Sequence, residues 1–338
     1  MRMPGLFDLQ NRIKRLEQDD PLAKLNALVP WEEFRPALET ITEKERKSKA
    51  GRKPFDVIVM FKILIIQSLY NLSDDSTEFQ VRDRLSFMRF LGLEFHDSVP
   101  DAKTIWLFRE RLTEAGLVDK LFKQFDAFLM NNGFAARKGQ IVDASIVSAP
   151  RQRNTREENA LIKEGGKPEG WSDPKERQKD TDARWVKKNG VSRFGYKNHI
   201  SVDVKNKFIR KYDVTDAATH DSNKFETLLD ENNTSRDIFA DSAYRSRETI
   251  EKLTAQKWRP RIQRKGVRGK KLTERESKGN HTRSKTRSRI EHVFGVMSMR
   301  AGTLIIRTVG AVRARAKIGL RNLAFNLDRF AMLSFSAV

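Results

Sequence analysis

The hydrophobic period of the chain changes once, just after Gly139. Before this point apolar residues recur at helical spacing, and the segment from Val57 to Tyr70 is apolar nearly all round, as in a helix buried inside a bundle. After it, Ile141 to Val147 is a mostly apolar run, which is typical of a strand covered on both faces. The sequence therefore predicts an all-helical N-terminal domain over residues 1–135 and a mixed α/β domain over residues 136–338.

Further strands and helices are predicted in the second domain. An alternating segment, a Lys205-Asn-Lys207 turn and a second apolar segment indicate an antiparallel hairpin. The strands after the first are expected at residues 196–204, 208–214, 237–240 and 258–262, and the helices at 222–229, 245–256 and 308–334. This order of elements is that of the ribonuclease-H-like fold, in which the first and fourth strands lie side by side.

Two charged segments interrupt this pattern. Residues 150–192 are poor in large apolar residues, so we expect an insertion that is flexible or is ordered by a ligand. Within it, Trp185 either anchors the insertion to the core or stacks on a base. Residues 264–289 contain eleven Lys and Arg residues against two Glu, and are expected to form a basic loop that tracks phosphates.

The charge balance limits the class of partner. With 66 Lys and Arg against 45 Asp and Glu, the formal net charge is +21, which attracts polyanions, most plausibly nucleic acid. A solvated basic surface with no dedicated partner is the alternative. The absence of cysteine excludes disulfides and cysteine zinc sites. Since the apolar run from Val57 to Leu72 is too short to span a bilayer, no membrane partner and a cytoplasmic, nucleoid-associated location are expected.

Three acidic residues stand in contexts that fit one metal site: Asp143 inside the first strand, Asp241 at the end of the fourth, and Glu291 on a later helix. A carboxylate between apolar strand residues is costly to bury unless a cation or hydrogen bonds compensate it. Oxygen-only ligands suit Mg²⁺. Each acid also has a simpler interpretation: Asp143 as a strand-edge carboxylate, Asp241 as a turn residue and Glu291 as a solvated helix residue.

Several short strings occur in a fixed order along the chain. They are Gly51-Arg-Lys-Pro-Phe-Asp56, Val142-Asp-Ala-Ser145, Gly195-Tyr-Lys-Asn-His199, Ala240-Asp-Ser-Ala-Tyr244 and Arg289-Ile-Glu-His-Val-Phe294. Each string alone is weak, but the ordered set is specific. Over residues 25–335 the chain resembles the DDE transposases of bacterial insertion sequences, and looks closest to the insertion sequence five family.

The resemblance implies that Asp143, Asp241 and Glu291 are the catalytic acids and the ligands of two Mg²⁺ ions, with Mn²⁺ as a substitute. Arg287, one helical turn before Glu291, would reach phosphate. The family often has Tyr seven residues before the last acid and Lys seven after it.

This chain departs from that pattern, because Ser284 and Ser298 stand at those two positions. Lys285 and Arg300 are near enough in sequence to replace the missing contacts to DNA.

The other candidate DNA contacts are basic or aromatic residues near the motifs: Lys197, Tyr244, Arg245, Arg268, Lys270, Lys271, Arg283, Lys285 and Arg289. Tyr244 has packing as its simpler role. His199 and His220 are possible neighbours of the metal site, although His199 is more simply a hydrogen-bonded structural residue. Asp221 is expected to cap a helix.

The implied activity is that of a transposase on double-stranded DNA. It would bind the terminal inverted repeats of its element, free a 3′-OH by hydrolysis and use that hydroxyl to attack target DNA, as a homodimer on DNA. The alternatives are a ribonuclease-H-like nuclease or resolvase that does not join ends, and a domesticated DNA-binding protein.

The N-terminal domain is open between DNA-end binding and dimerisation. A helix-turn-helix around residues 92–103 is weakened by its long connection. The candidate phosphate contacts in this domain are Arg52, Lys53, Arg109 and Arg111.

Overall fold

The computed structural model describes residues 20–42, 54–188, 190–266 and 271–335, without the side chains of Arg300, Ala301 and Phe335. It divides into two compact units. One contains the described residues up to Gln124 together with the chain from Leu320, and the other contains Phe125–Gly319. Six residues named above fall outside the description, wholly or in their side chains: Gly51, Arg52, Lys53, Arg268, Lys270 and Arg300.

The first unit is helical. Its helices are α1 Pro21–Leu28, α2 Arg35–Glu39, α3 Val57–Tyr70, α4 Asp74–Asp83, α5 Leu85–Leu91 and α6 Ala102–Glu114. Asp56 caps α3 by accepting hydrogen bonds from the backbone N–H groups of Ile58 and Val59, and Asn71 ends it in the left-handed conformation. Because α3 is apolar nearly all round, most of its side chains are buried in this unit.

Arg109 does not face a phosphate, contrary to the sequence-based expectation. Its guanidinium is buried and donates to both carboxylate oxygens of Asp74, at 2.6 and 2.8 Å, and to Gln67 at 2.9 Å. A buried Arg is stable when its donors are satisfied by such a bidentate partner. Arg109 therefore stabilises the packing of α3, α4 and α6.

Among the described residues, no single helix is long and apolar enough to cross a membrane. By length and composition α3 and α4 pass that test only as a pair, and they meet at a bend of 104°.

The second unit is built on a mixed sheet. Its strands are β1 Gln140–Ser148, β2 Arg184–Lys188, β3 Val191–Asp203, β4 Ile209–Asp216, β5 Asp237–Phe239 and β6 Arg259–Pro260. β3 is antiparallel to β1, β2 and β4, whereas β5 is parallel to β1 and β6 to β5. The order β4-β3-β1-β5-β6, with β2 added beside β3, confirms the expected ribonuclease-H-like fold.

Two apolar layers cover the sheet. On one face, Val142, Ile238 and Ala240 pack against Tyr244, Leu253 and other residues that follow β4 and β5. The helix α11, Glu274–Ala301, packs on β1 and β5, and its Ile290 and Val293 are fully buried. The sheet therefore separates one core cluster from the helix that carries Glu291.

The segment 264–289 was expected to be a loop, but this prediction is wrong for most of the segment, which is helical. α11 begins at Glu274, where Thr273 and Glu276 form a capping box. Each side chain accepts a hydrogen bond from the other residue's backbone N–H, which satisfies two donors that a helix start leaves without partners. The many positive charges in this segment made the sequence look like a loop, although Thr273 and Glu276 are a favourable start for a helix.

The segment 150–192 is also more ordered than expected. It contains α8 Arg156–Lys163 and α9 Asp173–Gln178 before β2, and α8 begins with a capping box at Thr155 and Glu158. Trp185 lies on β2, tilted against Phe194 with ring centroids 5.3 Å apart, and stays 40% exposed. The Trp185 ring therefore packs partly on the core and remains partly exposed to solvent.

The expected helix over 222–229 is two short 3₁₀ helices, Asp221–Lys224 and Glu226–Leu228. Asp221 does not cap them, because His220 holds the cap position and its side chain accepts a hydrogen bond from the backbone N–H of Ser222. The remaining helices are α7 Leu117–Asn131, α10 Arg247–Ala255 and α12 Ala311–Phe335.

Candidate active site

Asp143 lies in the middle of β1 with a side chain that is 19% exposed. Its Oδ1 accepts a hydrogen bond of 2.8 Å from the backbone N–H of Ala144. Burial, and to a smaller extent the charge of Asp241, raise the pKa of Asp143 to about 6, against the opposite effects of that hydrogen bond, Arg287 and Lys188. Desolvation therefore decides the state of this carboxyl, and a nearby cation favours its charged form.

Asp241 lies two residues beyond the end of β5 and caps the 3₁₀ helix Ser242–Tyr244, where it accepts a hydrogen bond of 2.7 Å from the backbone N–H of Ala243. β1 and β5 are parallel, with Gln140 beside Ile238 and Ile141 beside Phe239. When this register is extended by two residues, Asp143 stands beside Asp241. Because adjacent parallel strands are roughly 4.8 Å apart, the two carboxylates share one edge of the sheet.

Glu291 reaches this edge through Arg287. Nη1 of Arg287 lies 3.3 Å from Oδ2 of Asp143, and its Nη2 lies 2.5 Å from Oε1 of Glu291. The i, i+4 spacing on α11 places Arg287 and Glu291 on one face of the helix. Glu291 is 58% exposed, so its carboxylate is the accessible member of the group, whereas Arg287 is mostly buried.

The donor set fits a divalent cation in part. Asp143 and Asp241 are adjacent oxygen donors whose mutual repulsion a hard cation would offset. Among the residues that the structure describes, no three His, Asp or Glu side chains lie close enough together to hold a metal ion. Glu291 is joined to the pair by the Arg287 guanidinium, which bridges the carboxylates of Asp143 and Glu291.

Lys197 is not available to DNA, contrary to the sequence-based prediction. Its ammonium is nearly buried, lies 2.8 Å from Asp221 and donates to the carbonyl of Thr219 at 2.6 Å. β3 is the central strand of the antiparallel part of the sheet, so alternate side chains face a packed layer rather than solvent. Lys197 therefore fixes the segment after β4, and its partner Asp221 is held by this ion pair.

Tyr244 was proposed as a DNA contact and is 1% exposed instead. Its ring packs on Phe225, with centroids 5.0 Å apart, and its hydroxyl is buried without a hydrogen-bond partner among the described residues. Burial, together with the charges of Asp143, Asp221 and Asp241, raises the pKa of the phenol, so the hydroxyl stays protonated. Of the two roles considered, the structure favours packing.

The two histidines hold structural positions. His199 is fully buried, its Nε2 lies 2.8 Å from Oγ1 of Thr215, and burial lowers its pKa to about 4. His220 caps the 3₁₀ helix at Asp221 and its Nδ1 lies 2.7 Å from Oγ of Ser222.

The remaining basic candidates differ in what their donors already contact. Arg289 donates to the carbonyl of Val204 at 3.0 Å, Arg283 to Asn280 at 3.2 Å, and Arg245 to the carbonyl of Ile262 at 3.3 Å. Lys271 and Lys285 are exposed.

Lys188, at the end of β2, was missed by the sequence analysis although its charge acts on Asp143. The available signal was the Asn-Gly dipeptide at 189–190, which is typical of a tight hairpin and so predicts a strand on each side of it.

Two family models match parts of this chain. Residues 10–111 match the family model described as Transposase domain (DUF772). The chain is also similar, at 12% identity and a TM-score of 0.47, to "Cryo-EM structure of piggyBac transposase synaptic complex with hairpin DNA (SNHP)", with all of this chain and 77% of that chain covered. Residues 135–327, more than half of the chain, match the family model described as Transposase DDE domain. The chain therefore belongs to the transposase DDE domain family, which consists of DNA transposases that act with divalent metal ions.

Proposed function

We propose that Asp143, Asp241 and Glu291 are the acid triad of this transposase. They would together hold two Mg²⁺ ions, with Mn²⁺ as a substitute, once Glu291 is released from the Arg287 guanidinium that binds it in this structure. The observation that carries the proposal is that Asp143 lies on β1 and Asp241 lies just beyond the neighbouring parallel strand β5, near enough for its charge to act on Asp143, while Arg287 joins Asp143 to Glu291. Divalent ions held there would supply Lewis-acid stabilisation of the charge on a reacting phosphodiester.

The protein residues have distinct tasks in this proposal. Asp143 is held in place by the rigid β1 and by the Ala144 N–H, and Asp241 by the turn that it caps, so both carboxylates keep their geometry when DNA binds. Arg287 carries a planar fork of donors that suits a phosphate as well as a carboxylate. When phosphate enters, the fork exchanges a carboxylate oxygen for a phosphate oxygen and orients the scissile group.

The substrate is the end of the transposable element. We infer that the protein hydrolyses the phosphodiester at each terminal inverted repeat, frees a 3′-OH, and lets that hydroxyl attack target DNA. Joining two ends in one complex requires two copies of the site, so a homodimer on DNA, acting at the nucleoid, is the expected assembly. The ordered motifs support membership of the insertion sequence five family.

The two domains divide this work in the proposal. Residues 136–338 form the catalytic domain, and residues 1–135 form the domain for DNA-end binding, dimerisation or both. The match of residues 10–111 to a separate transposase domain supports a role of their own for these helices.

The central test replaces one acid at a time by its amide. Asp143→Asn and Asp241→Asn should abolish Mg²⁺-dependent cleavage of an element-end duplex while leaving its binding nearly unchanged. Asp237→Asn is the matched control, because Asp237 lies at the opposite end of β5 and pairs with Arg259 and Arg261. Cleavage of the duplex by Asp143→Asn or by Asp241→Asn would contradict the assignment of these residues as catalytic acids.

A second assay separates strand transfer from hydrolysis. Duplexes that are already cut at the 3′ end should be joined to a target plasmid by the wild-type protein. Cutting without joining would identify a nuclease or resolvase instead, and binding without cutting in Mg²⁺ or Mn²⁺ would identify a DNA-binding protein on an inactive scaffold.

A further inference from the structure

β2 and the first part of β3 form a two-stranded ribbon, residues 184–195. Lys188 pairs with Val191, Lys187 with Ser192 and Trp185 with Phe194. Gly190 has a φ of +79°, which a tight hairpin turn requires and which glycine adopts without strain. The ribbon therefore has a tip, which is formed by residues 187–188 and 190–192.

The base of the ribbon is fixed to the core. Phe194 is buried and packs on Trp185, and its carbonyl accepts a hydrogen bond of 2.8 Å from the backbone N–H of Ala149. Arg184 donates to the carbonyl of Ile162 at 3.2 Å. These contacts fix the base of the ribbon on the sheet, so the ribbon projects from the sheet at a defined place.

The ribbon carries positive charge without compensation. No acidic residue occurs between Asp182 and Asp203. Lys187, Lys188 and Arg193 are exposed, and within the described part of the chain none of the three forms an ion pair. Elsewhere in the chain exposed cations are often paired, as Arg247 is with Glu251. Three free cations on one short ribbon repel one another, and an anionic partner removes that repulsion.

The ribbon continues directly from the part of β3 that pairs with the Asp143 strand, because Gly195 lies beside Ser148 of β1. Lys188 acts on the Asp143 carboxylate from its position beside the turn. Gly195 allows β3 to continue into the ribbon at this point, because a Cβ there would collide with the backbone of Val147 and Ala149. The ribbon therefore lies beyond the Ser148 end of β1, where DNA that leaves Asp143 in that direction meets it.

We propose that this ribbon binds the sugar–phosphate backbone of the double-stranded DNA that extends from the scissile phosphate past Ser148, with Lys187, Lys188 and Arg193 as the phosphate contacts. The inference rests on the proposed function, since it names the surface that the DNA substrate follows away from the acids. A two-stranded ribbon has a width that a DNA groove admits. Val191 at the tip, 51% exposed, and Trp185 supply apolar surface for contact with sugars.

The proposal predicts a change in salt dependence. Each phosphate that a cation neutralises releases about 0.9 counterion, so each lost contact lowers the slope of log K against log salt by about 1. Lys187→Ala, Lys188→Ala and Arg193→Ala should each weaken binding of a pre-cut element-end duplex and reduce this slope. The effect should be equal on a duplex of unrelated sequence, because backbone contacts carry no sequence information.

Lys205→Ala is the matched control. Lys205 is an exposed lysine in the turn at the other end of β3, so its loss changes the net charge equally without touching the ribbon. Its slope should stay at the wild-type value. Melting curves of all four variants should match the wild type, because every replaced side chain is exposed.

Position is tested by crosslinking. A photoreactive benzoylphenylalanine in place of Val191 should crosslink to nucleotides that flank the cleavage position of the element-end duplex. Crosslinks confined to distant nucleotides, or ribbon variants with the slope of the Lys205→Ala control, would overturn the proposal.

These outcomes are independent of the proposed chemistry. If the wild-type protein cleaves DNA but the ribbon variants bind normally, the ribbon assignment fails and the proposed function stands. If the ribbon variants show a smaller slope of log K against log salt but the wild-type protein never cleaves DNA, the ribbon is confirmed as a DNA-binding surface and the catalytic assignment fails.

Discussion

Arg287 donates from Nη1 to Oδ2 of Asp143 across 3.3 Å, although 144 residues separate them in the chain. The same guanidinium holds Glu291 through Nη2, at 2.5 Å. One cation thus links a strand carboxylate with a helix carboxylate, and it lowers the repulsion that two acids at one place would otherwise meet.

Arg287→Lys is expected to reduce DNA cleavage on the order of 10²-fold, the usual cost of losing one positioned donor at a reacting oxygen. An ammonium keeps the charge, but it lacks the planar fork that binds two oxygen groups at once. Initial cleavage rates in Mg²⁺, with melting temperature as the check on folding, measure the effect.

Arg275→Lys is the control for this prediction, because Arg275 is exposed near the start of the same helix. Its cleavage rate should equal that of the wild type. A cleavage rate for Arg287→Lys equal to that of this control would show that the bridge has no role beyond local charge.

Tyr244→Phe is expected to keep DNA affinity and to leave stability unchanged or slightly higher. The phenol hydroxyl is buried and has no hydrogen-bond partner in the described structure, so its removal relieves a desolvation cost instead of breaking a bond. Tyr244→Ala, by contrast, should lower the free energy of unfolding by about 3–5 kcal/mol through the cavity it creates. Urea denaturation and a DNA titration measure the two quantities. Loss of DNA affinity in a stably folded Tyr244→Phe variant would contradict the packing role.

His199 is expected to make stability fall as the pH is lowered. Burial lowers its native pKa to about 4, whereas an unfolded histidine titrates near ~6.5. Above pH ~6.5 both states are neutral and the group contributes nothing to the pH dependence. Between pH ~6.5 and about 4 only the unfolded state gains the proton, so the free energy of unfolding falls, by up to about 3 kcal/mol.

His199→Gln should flatten this part of the stability profile, since Gln does not titrate and can still hydrogen-bond Thr215. Denaturation in urea at pH 7 and pH 5 gives the slope. His96→Gln is the control, because the His96 side chain is 82% exposed. If both variants show the same pH dependence of the free energy of unfolding as the wild type, His199 is not the source of that dependence.

The topology of the sheet was predictable because strand and helix periods are local properties of the sequence. The strand expected at 208–214 is observed as Ile209–Asp216, and the one at 237–240 as Asp237–Phe239. β2 and the first turns of α11 were missed for one reason: a high density of charged residues masked the period in both. The capping box at Thr273 and the Asn-Gly pair before Val191 were local signals for a helix start and a hairpin turn, and they predict these elements despite the high density of charge.

The direction in which each polar side chain of the site points could not be predicted in the same way. Tyr244 and Lys197 were expected to face DNA, but residues far away in sequence enclose them: Phe225 packs on the tyrosine and Asp221 pairs with the lysine. Nothing within a few positions of either residue reports those partners. Burial depends on which elements pack together, and that is a property of the whole fold.

The sequence by itself determined the class of the fold and the order of its strands apart from β2, because periodicity depends on neighbouring residues. The three acids in their motifs stay a prediction from the sequence. Only the tertiary structure decided that Arg287 joins Asp143 to Glu291, that Tyr244 is turned inward, and that the charge of Lys188 acts on Asp143. The physical reason is that desolvation and ion pairing are set by distances in space. Those distances arise only when strands and helices from remote parts of the chain pack on one another.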